Sequence, residues 1–227
     1  MYEIQQLVKV YDMGKVKVRA LDGVSFAVRD GDMVAIMGRS GSGKSTLLRQ
    51  LGLLDRPTSG KIFFDGQEVT KLSEGTRAKL RLKHLGYVFQ EYALLGELTA
   101  HQNVYLPGMM LGNRGIDYRD RARELLELVG LEARIDHLPK ELSGGEQQRV
   151  AIARALINNP SVVFADEPCA NLDTISSRMV METLAKLNGE MNLTIVFVSH
   201  DPDDRKYARN FVFLSDGKIM SAEGQVT

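Results

Sequence analysis

The chain has 227 residues, 44% of them hydrophobic and 26% charged, a composition typical of a folded protein with a substantial core. Lys plus Arg and Asp plus Glu each number 29, which argues against a dedicated nucleic-acid binder with its strong basic field. We expect a cytosolic protein for three reasons. No apolar run approaches the ~20 residues of a membrane span, the first residues lack a secretory signal, and Cys169 is the only cysteine.

The N-terminal part of the chain predicts strands. Val24, Phe26 and Val28 alternate with smaller or polar residues, and a turn at Asp30-Gly31-Asp32 separates them from a continuous apolar run over residues 33–37. Such a run is typical of a strand that is buried on both faces. We therefore expect it to lie inside a sheet.

A Gly/Ser segment over residues 38–43 follows this run, and residues 44–54 predict a helix. Residues 61–64 and 67–69 then predict two short strands. The Asp65-Gly66 dipeptide between them is a strong signal for a two-residue hairpin turn. The start of the chain therefore predicts a small antiparallel annex.

From about residue 99 to residue 158 the sequence predicts helices. Leu125, Leu126 and Val129 form an apolar stripe on a segment that is rich in Arg and Glu. Strand signals return at residues 161–165, 194–198 and 211–214, with a predicted helix over residues 174–187.

This order of elements predicts an α/β fold with a mostly parallel sheet, an N-terminal antiparallel β annex and an inserted helical subdomain. We expect one domain over residues 1–227. Residues 1–90 and 157–227 would form the α/β core with its annex, and residues from about 91 to 156 would form the helical subdomain.

The Gly/Ser segment fits the motif G-x-x-x-x-G-K-[ST] and lies where that motif belongs, after a buried strand and at the start of a helix. Glycines let the backbone N–H groups curl around phosphate oxygens, Lys44 can reach the β- and γ-phosphates, and Ser45 can ligate Mg²⁺. The sequence therefore predicts a P-loop NTPase core that binds a nucleotide. Its phosphate loop would consist of Gly38, Arg39, Ser40, Gly41, Ser42, Gly43, Lys44, Ser45 and Thr46.

Asp166 and Glu167 follow the apolar run that ends at residue 165, so both carboxylates lie where ligands bind in an open α/β sheet. Taken alone, an acidic turn would be the commoner interpretation. Together with the phosphate loop, the pair predicts an Asp166 that supports Mg²⁺ and a Glu167 that polarises the attacking water.

Residues 142–149 read Leu-Ser-Gly-Gly-Glu-Gln-Gln-Arg. Ser143 and Glu146 fit a capping box before an apolar helix. Gly144 and Gly145 at a helix N-terminus also suit a second anion site. A second exposed anion site beside a complete phosphate loop suggests that it serves another molecule.

With these motifs the sequence resembles the ATP-binding cassette (ABC) family, whose signature is L-S-G-G-[EQ], over nearly the whole chain. The resemblance implies that Tyr11 stacks on adenine, although a lone tyrosine there could equally be core or surface. It implies that Gln90 joins the Mg²⁺ and water shell, that Asp173 lies in a segment crossing a dimer interface, and that His200 contacts the γ-phosphate. Alone, His200 would be interpreted as an ordinary structural histidine.

The resemblance also implies ATP and Mg²⁺ as cofactors and a head-to-tail homodimer in the ATP-bound state. Ser143, Gly144, Gly145 and Glu146 of each copy would face the nucleotide of the other. A transmembrane permease subunit would be the further partner, which places the chain on the cytoplasmic face of the cell membrane. Residues 92–98 are a candidate contact for that subunit, and packing inside the helical subdomain is the equal alternative.

Residues 165–168, 171–173 and 142–149 look like those of exporters of the lipoprotein-releasing and macrolide-efflux type. Those relatives usually have Thr-Gly where this chain has Cys169-Ala170. Cys169 is interpreted as a small buried apolar residue. Because it neighbours Glu167, we expect a thiol reagent that reaches it to slow ATP turnover.

The resemblance implies an ATP-hydrolysing subunit that powers a transporter. The alternative is a division-type signalling ATPase with the same site residues. Two rival classes are an ATP-driven clamp and a module that binds ATP without hydrolysing it. Clamps of the chromosome type carry long coiled coils between the glutamine and the signature. Here only 53 positions (143 − 90) separate Gln90 from Ser143, without sustained heptads. Glu167 and His200 argue against the module that does not hydrolyse ATP.

Overall fold

The computed structural model describes residues 1–14, 16–113 and 115–223. These residues contain two β-sheets and six α-helices. The smaller sheet is antiparallel and has the order β2-β1-β4-β5. Its strands are β1 (Tyr2–Asp12), β2 (Lys17–Val28), β4 (Ser59–Phe64) and β5 (Gln67–Glu68). Asp65 and Gly66 join β4 to β5 with φ values of 49° and 77°, the left-handed pair that a tight hairpin turn requires. The predicted annex and hairpin are confirmed.

The larger sheet has the order β10-β9-β3-β8-β7-β6. Its strands are β3 (Met33–Met37), β6 (Leu85–Val88), β7 (Val162–Asp166), β8 (Thr194–Ser199), β9 (Asn210–Ser215) and β10 (Lys218–Glu223). Five of them run parallel, and β10 pairs antiparallel with β9 at one edge. The predicted mostly parallel sheet is confirmed.

Side chains of the larger sheet alternate between two apolar cores, as the two-residue period of a strand requires. On one face, Val34 and Ile36 of β3 pack with the antiparallel sheet and with the helix α1 (Lys44–Leu51). On the other face, Met33 and Ala35 pack with the helices that follow β6 in the chain. Because both faces are covered, the central strand β3 needs apolar side chains on both, and all five of its residues are buried.

The helix after the phosphate loop is three residues shorter than predicted. It ends at Leu51, and Leu53 has a left-handed φ of 56°, which a helix cannot contain. Next to it, the sequence predictions miss α2 (Glu74–His84). The buried side chain of α2 is Arg77, so this helix lacks the apolar stripe that would indicate it.

Three helices form the predicted helical region: α3 (Ala100–Leu111), α4 (Tyr118–Leu128) and α5 (Gly144–Leu156). Leu125, Leu126 and Val129 are buried among them, as their spacing predicts. The last helix, α6 (Thr174–Met191), packs beside α5. It extends four residues beyond its predicted end.

None of the helices in the described residues combines the length and hydrophobicity that crossing a bilayer requires.

Candidate active site

The phosphate loop connects β3 to α1 and is wedged between two other strands. Gly38 and Gly43 have φ values of 148° and 103°. A Cβ atom at Gly43 would lie 2.3 Å from the Ala20 carbonyl oxygen, and one at Gly38 would lie 2.2 Å from the Leu214 carbonyl oxygen. Glycine is therefore required at both positions by conformation and by close packing.

A groove of about 370 Å³ opens along this loop. Six of the nine predicted phosphate-loop residues line it, together with Glu167. They are Ser40, Gly41, Gly43, Lys44, Ser45 and Thr46. The loop residues and one carboxylate of the acidic pair thus share one cavity.

Five other residues that the sequence does not predict also line the groove. They are Val18, Arg19 and Ala20 of β2, and Asp216 and Gly217 of the turn between β9 and β10. The turn is fixed from both sides, because the Gly217 N–H donates to the Ser42 carbonyl (3.0 Å) and the Gly217 carbonyl accepts from the Asp22 N–H (2.8 Å). The Asp-Gly pair signals a turn. No local signal places that turn beside the phosphate loop.

Lys44 is only 4% exposed at the first position of α1. Its Nζ donates to the Arg39 carbonyl at 3.0 Å, across the base of the loop. This contact holds a positively charged ammonium group against the phosphate loop, which suits a bound phosphate.

Ser45 and Asp166 meet at the carboxyl end of β7. The Ser45 hydroxyl donates to Asp166 Oδ1 at 2.8 Å, although 121 positions separate the two residues. Burial raises the pKa of the Asp166 carboxyl, and the hydrogen bond from Ser45 partly opposes that increase. A hydroxyl and a carboxylate in contact are hard oxygen donors of the kind that Mg²⁺ prefers.

Glu167 follows Asp166 with a left-handed φ of 46°, a conformation that costs free energy in a residue with a side chain. Its Oε2 lies 3.3 Å from Nδ1 of His200, the residue that follows β8. The structure therefore brings Glu167 and His200 together at the edge of the groove.

Ser143 caps α5, and the predicted capping box is confirmed. Ser143 Oγ accepts from the Glu146 N–H, and Glu146 Oε2 accepts from both the N–H and the hydroxyl of Ser143 at 2.8 Å. The Ser143 N–H lowers the pKa of Glu146, and Arg134 contacts the other carboxylate oxygen at 3.0 Å. Both oxygens of Glu146 are thus engaged within the chain.

The two signature glycines are tightly packed. A Cβ at Gly144 would lie 2.8 Å from Tyr92 Oη, and one at Gly145 would lie 2.8 Å from Ser176 Cβ. The residues that line the groove come from other segments of the chain. Within one chain the signature therefore lies apart from the phosphate loop.

Three predicted site residues are not among those that line the groove. Asp173 caps α6 by accepting the Ile175 and Ser176 N–H groups, which lowers its pKa. Gln90 is exposed. Tyr11, opposite Val18 on β1, donates its hydroxyl to Asp55 at 2.9 Å and has the Lys9 ammonium 4.7 Å from its ring centroid. The adenine-stacking role of Tyr11 stays a prediction.

Cys169 lines a cavity of about 270 Å³ together with Glu167 and His200. It is half-buried, and burial raises the pKa of its thiol to about 12. Because the thiolate is the nucleophile, we expect iodoacetamide at pH 8 to alkylate Cys169 on the order of 10³-fold more slowly than a free cysteine. The rate should rise about tenfold for each pH unit from 8 to 10.

Mass spectrometry of the intact chain would follow this reaction, with Cys169→Ala as the control that takes up no label. Labelled protein should hydrolyse ATP more slowly, since the adduct would occupy the cavity shared with Glu167. Rapid labelling at pH 8, or full turnover after complete labelling, would contradict the prediction.

A family model, similar sequences and solved structures all relate this chain to the same family. The family model described as ABC transporter matches residues 21–170. The macrolide export ATP-binding/permease protein MacB of Syntrophobacter fumaroxidans is 48% identical over 99% of the chain, and the chain spans 32% of that protein's length. An uncharacterized ABC transporter ATP-binding protein of Thermotoga maritima is 49% identical over 97% of the chain and 94% of its own length.

Among solved structures, the ATP-binding cassette MJ0796, in a dimeric post-hydrolysis state bound to ADP and Pi, superimposes with a TM-score of 0.91. Its sequence is 40% identical, and the match covers 99% of both chains. A second dimeric structure of the same cassette gives a TM-score of 0.92. The architecture described above is thus shared over the full length of these cassettes.

Proposed function

The chain belongs to the ABC transporter family, and from this premise we propose that it powers a membrane transporter by closing as a pair of copies around ATP. It is an ATP-binding cassette and an ATPase. The observation that carries the proposal is the convergence of Lys44, the Ser45–Asp166 contact and Glu167 at one groove.

We assign the groove to ATP, with the triphosphate along the phosphate loop and against Lys44. Ser45 and Asp166 would hold Mg²⁺, and Gln90 would complete its shell. When bound, Mg²⁺ supplies positive charge against the β- and γ-phosphate oxygens.

Glu167 would orient and deprotonate the attacking water, because its carboxylate lines the groove. His200, 3.3 Å from that carboxylate, would hold it in place and contact the γ-phosphate. The left-handed backbone at Glu167 supports this assignment, since such strain clusters at functional sites.

Two copies are needed because the signature lies apart from the groove of its own chain. We propose that Ser143, Gly144 and Gly145 of one copy face the ATP of the other, and that Asp173 crosses between them. The related cassette MJ0796 has been solved as a dimer. Both carboxylate oxygens of Glu146 are bound within the chain, so this residue would act by fixing the N-terminus of α5. ATP would favour the closed pair, and hydrolysis would release it.

A membrane subunit is the further partner that we propose. An apolar groove of about 450 Å³ lies between α2, α3 and α5, and Leu54, Leu82, Leu85, Tyr87 and Met110 are among the residues that line it. Such a groove suits an amphipathic helix from a permease at the cytoplasmic face of a membrane. In the candidate contact segment, residues 92–98, Leu94 is partly buried against the core and Leu95 is exposed.

The relatives named ATP-binding/permease proteins support this partner, because the chain matches only about a third of their length. Their names report macrolide export. We propose that this chain serves an exporter or extractor of the macrolide or lipoprotein type.

The test is a matched pair of surface substitutions. Met110 in the apolar groove is 69% exposed, and Met220 on β10 is 70% exposed. With the membrane protein encoded beside this gene, we expect Met110→Asp to reduce co-purification by about tenfold or more, since a charge would be buried at the contact. Met220→Asp should co-purify normally, and both isolated variants should retain ATP turnover. Equal co-purification of the two variants would refute the groove as the docking site.

A further inference from the structure

The loop that contains Gln90 has an unfavourable backbone. We call residues 89–93 the glutamine loop. Tyr92 and Ala93 are consecutive, are not glycine, and have left-handed φ values of 59° and 51°. Residues with side chains adopt this region at a cost, so the surrounding structure must hold them there.

Arg154 on α5 holds these two residues. Its Nη2 donates to the Tyr92 carbonyl at 2.8 Å, and its Nη1 donates to the Ala93 carbonyl. One planar guanidinium thus binds the carbonyl oxygens of both left-handed residues, a fixed geometry that a lysine cannot reproduce. Arg154 also lines the apolar groove between α2, α3 and α5.

Gln148, also on α5, binds the other end of the glutamine loop. Its side chain is 0% exposed. Nε2 donates to the Pro168 carbonyl at 2.9 Å and lies 3.4 Å from the Phe89 carbonyl. Phe89 precedes Gln90 and Pro168 follows Glu167, so one buried amide joins the two segments that carry the water-handling residues.

A third contact lies at the N-terminus of α5, where Gly144 packs against the Tyr92 hydroxyl. At 1.5 Å per residue, the helix from Gly144 to Arg154 spans about 15 Å. The glutamine loop is thus held along most of α5, from the signature glycine to the apolar groove.

We propose that Arg154 and Gln148 are positioning residues, which fix the glutamine loop to α5 and thereby hold Gln90 in the position that hydrolysis requires. The inference rests on the proposed function. It adds the side chain that keeps the two left-handed residues in place, and with them the neighbouring Gln90.

Arg154→Ala tests the first contact, and Arg121→Ala is the matched control. Arg121 is also a half-buried arginine of the helical region whose Nε donates to a backbone carbonyl, that of Ile157, at 2.8 Å. We expect Arg154→Ala to reduce the kcat for ATP by about tenfold, because Gln90 would no longer be held in place. The Kd for ATP should change less than twofold, and the Mg²⁺ concentration for half-maximal turnover should rise.

Amide hydrogen exchange gives a readout independent of activity. It should accelerate at residues 90–95 in Arg154→Ala and stay unchanged there in Arg121→Ala. Arg154→Lys should restore only part of the rate. Equal kcat and exchange in the two alanine variants would overturn the proposal.

Gln148→Met tests the second contact, since it keeps the length of the buried side chain and removes its donor. Gln148 Oε1 has no partner among the described residues, so the substitution removes an unsatisfied group and should leave the fold intact. We expect kcat to fall and the Kd for ATP to stay at its wild-type value.

Wild-type kcat in Gln148→Met would remove this residue from the proposal. Either failure is distinguishable from failure of the proposed function. If Glu167→Gln is inactive while Arg154→Ala and Gln148→Met are fully active, only the positioning role is lost.

Discussion

Replacing Glu167 by Gln should reduce steady-state ATP hydrolysis by a factor of about 10² to 10⁴, the range that a positioned general base contributes. The amide retains the size of the carboxylate and its place beside His200, but it cannot accept a proton from water. Phosphate release at saturating ATP and Mg²⁺ would measure the loss.

ATP binding should persist in this variant, because the phosphate loop and Lys44 are untouched. With hydrolysis blocked, the closed pair should accumulate, and light scattering with ATP and Mg²⁺ should report twice the mass of one chain. Removal of the carboxylate charge near the γ-phosphate should strengthen the closed state further.

Asp216→Asn is the matched control for this experiment. It removes one negative charge from the wall of the same groove and leaves the contact between Glu167 and His200 intact. We expect it to hydrolyse ATP within a few-fold of the wild-type rate. Wild-type turnover in Glu167→Gln would remove Glu167 from the chemistry, and a variant that stays monomeric with ATP would refute the closing pair.

Lys44→Ala should weaken ATP binding by about 10- to 100-fold, because hydrogen bonds to a charged group contribute about 1.5–3 kcal/mol. Lys44 is 4% exposed and its ammonium group is held against the Arg39 carbonyl, so solvent screens the charge little. Turnover should fall further than binding, since negative charge moves onto the β–γ bridge and the γ-phosphate oxygens as the bond breaks.

Calorimetric titration with ATP and Mg²⁺ would measure the loss of affinity in Lys44→Ala. Lys186→Ala is the control, because Lys186 is exposed on α6 and its ion pair with Glu190 is 4.0 Å long. A Kd for Lys44→Ala equal to that of the control would show that the phosphates do not meet this ammonium group.

Some parts of the fold are predictable because their causes lie within a few residues. The turn at Asp65-Gly66 needs two residues that accept left-handed backbone. The capping box needs only Ser143 and Glu146. The apolar run of β3 needs burial on both faces, which its own residues report.

Other elements give no such local signal. The helix α2 buries Arg77, which donates to the Leu53 and Asp55 carbonyls, in place of an apolar face. The strand β6 has four residues and contains Gly86, where a Cβ would lie 2.7 Å from the Ala155 carbonyl oxygen. Both elements depend on partners that lie far away in the chain.

The sequence alone determines the chemistry of the nucleotide site: glycines that expose N–H groups, a lysine for phosphate, and oxygen donors for Mg²⁺. Their assembly depends on tertiary contacts, since Ser45 and Asp166 meet across 121 positions. Tertiary contacts also bring β2 and the Asp216-Gly217 turn to the groove, where they form its walls. In the same way they bring Arg154 to the glutamine loop, 62 positions away in the chain. Residue spacing reports which face of one element is buried, whereas the packing of several elements decides which side chains meet.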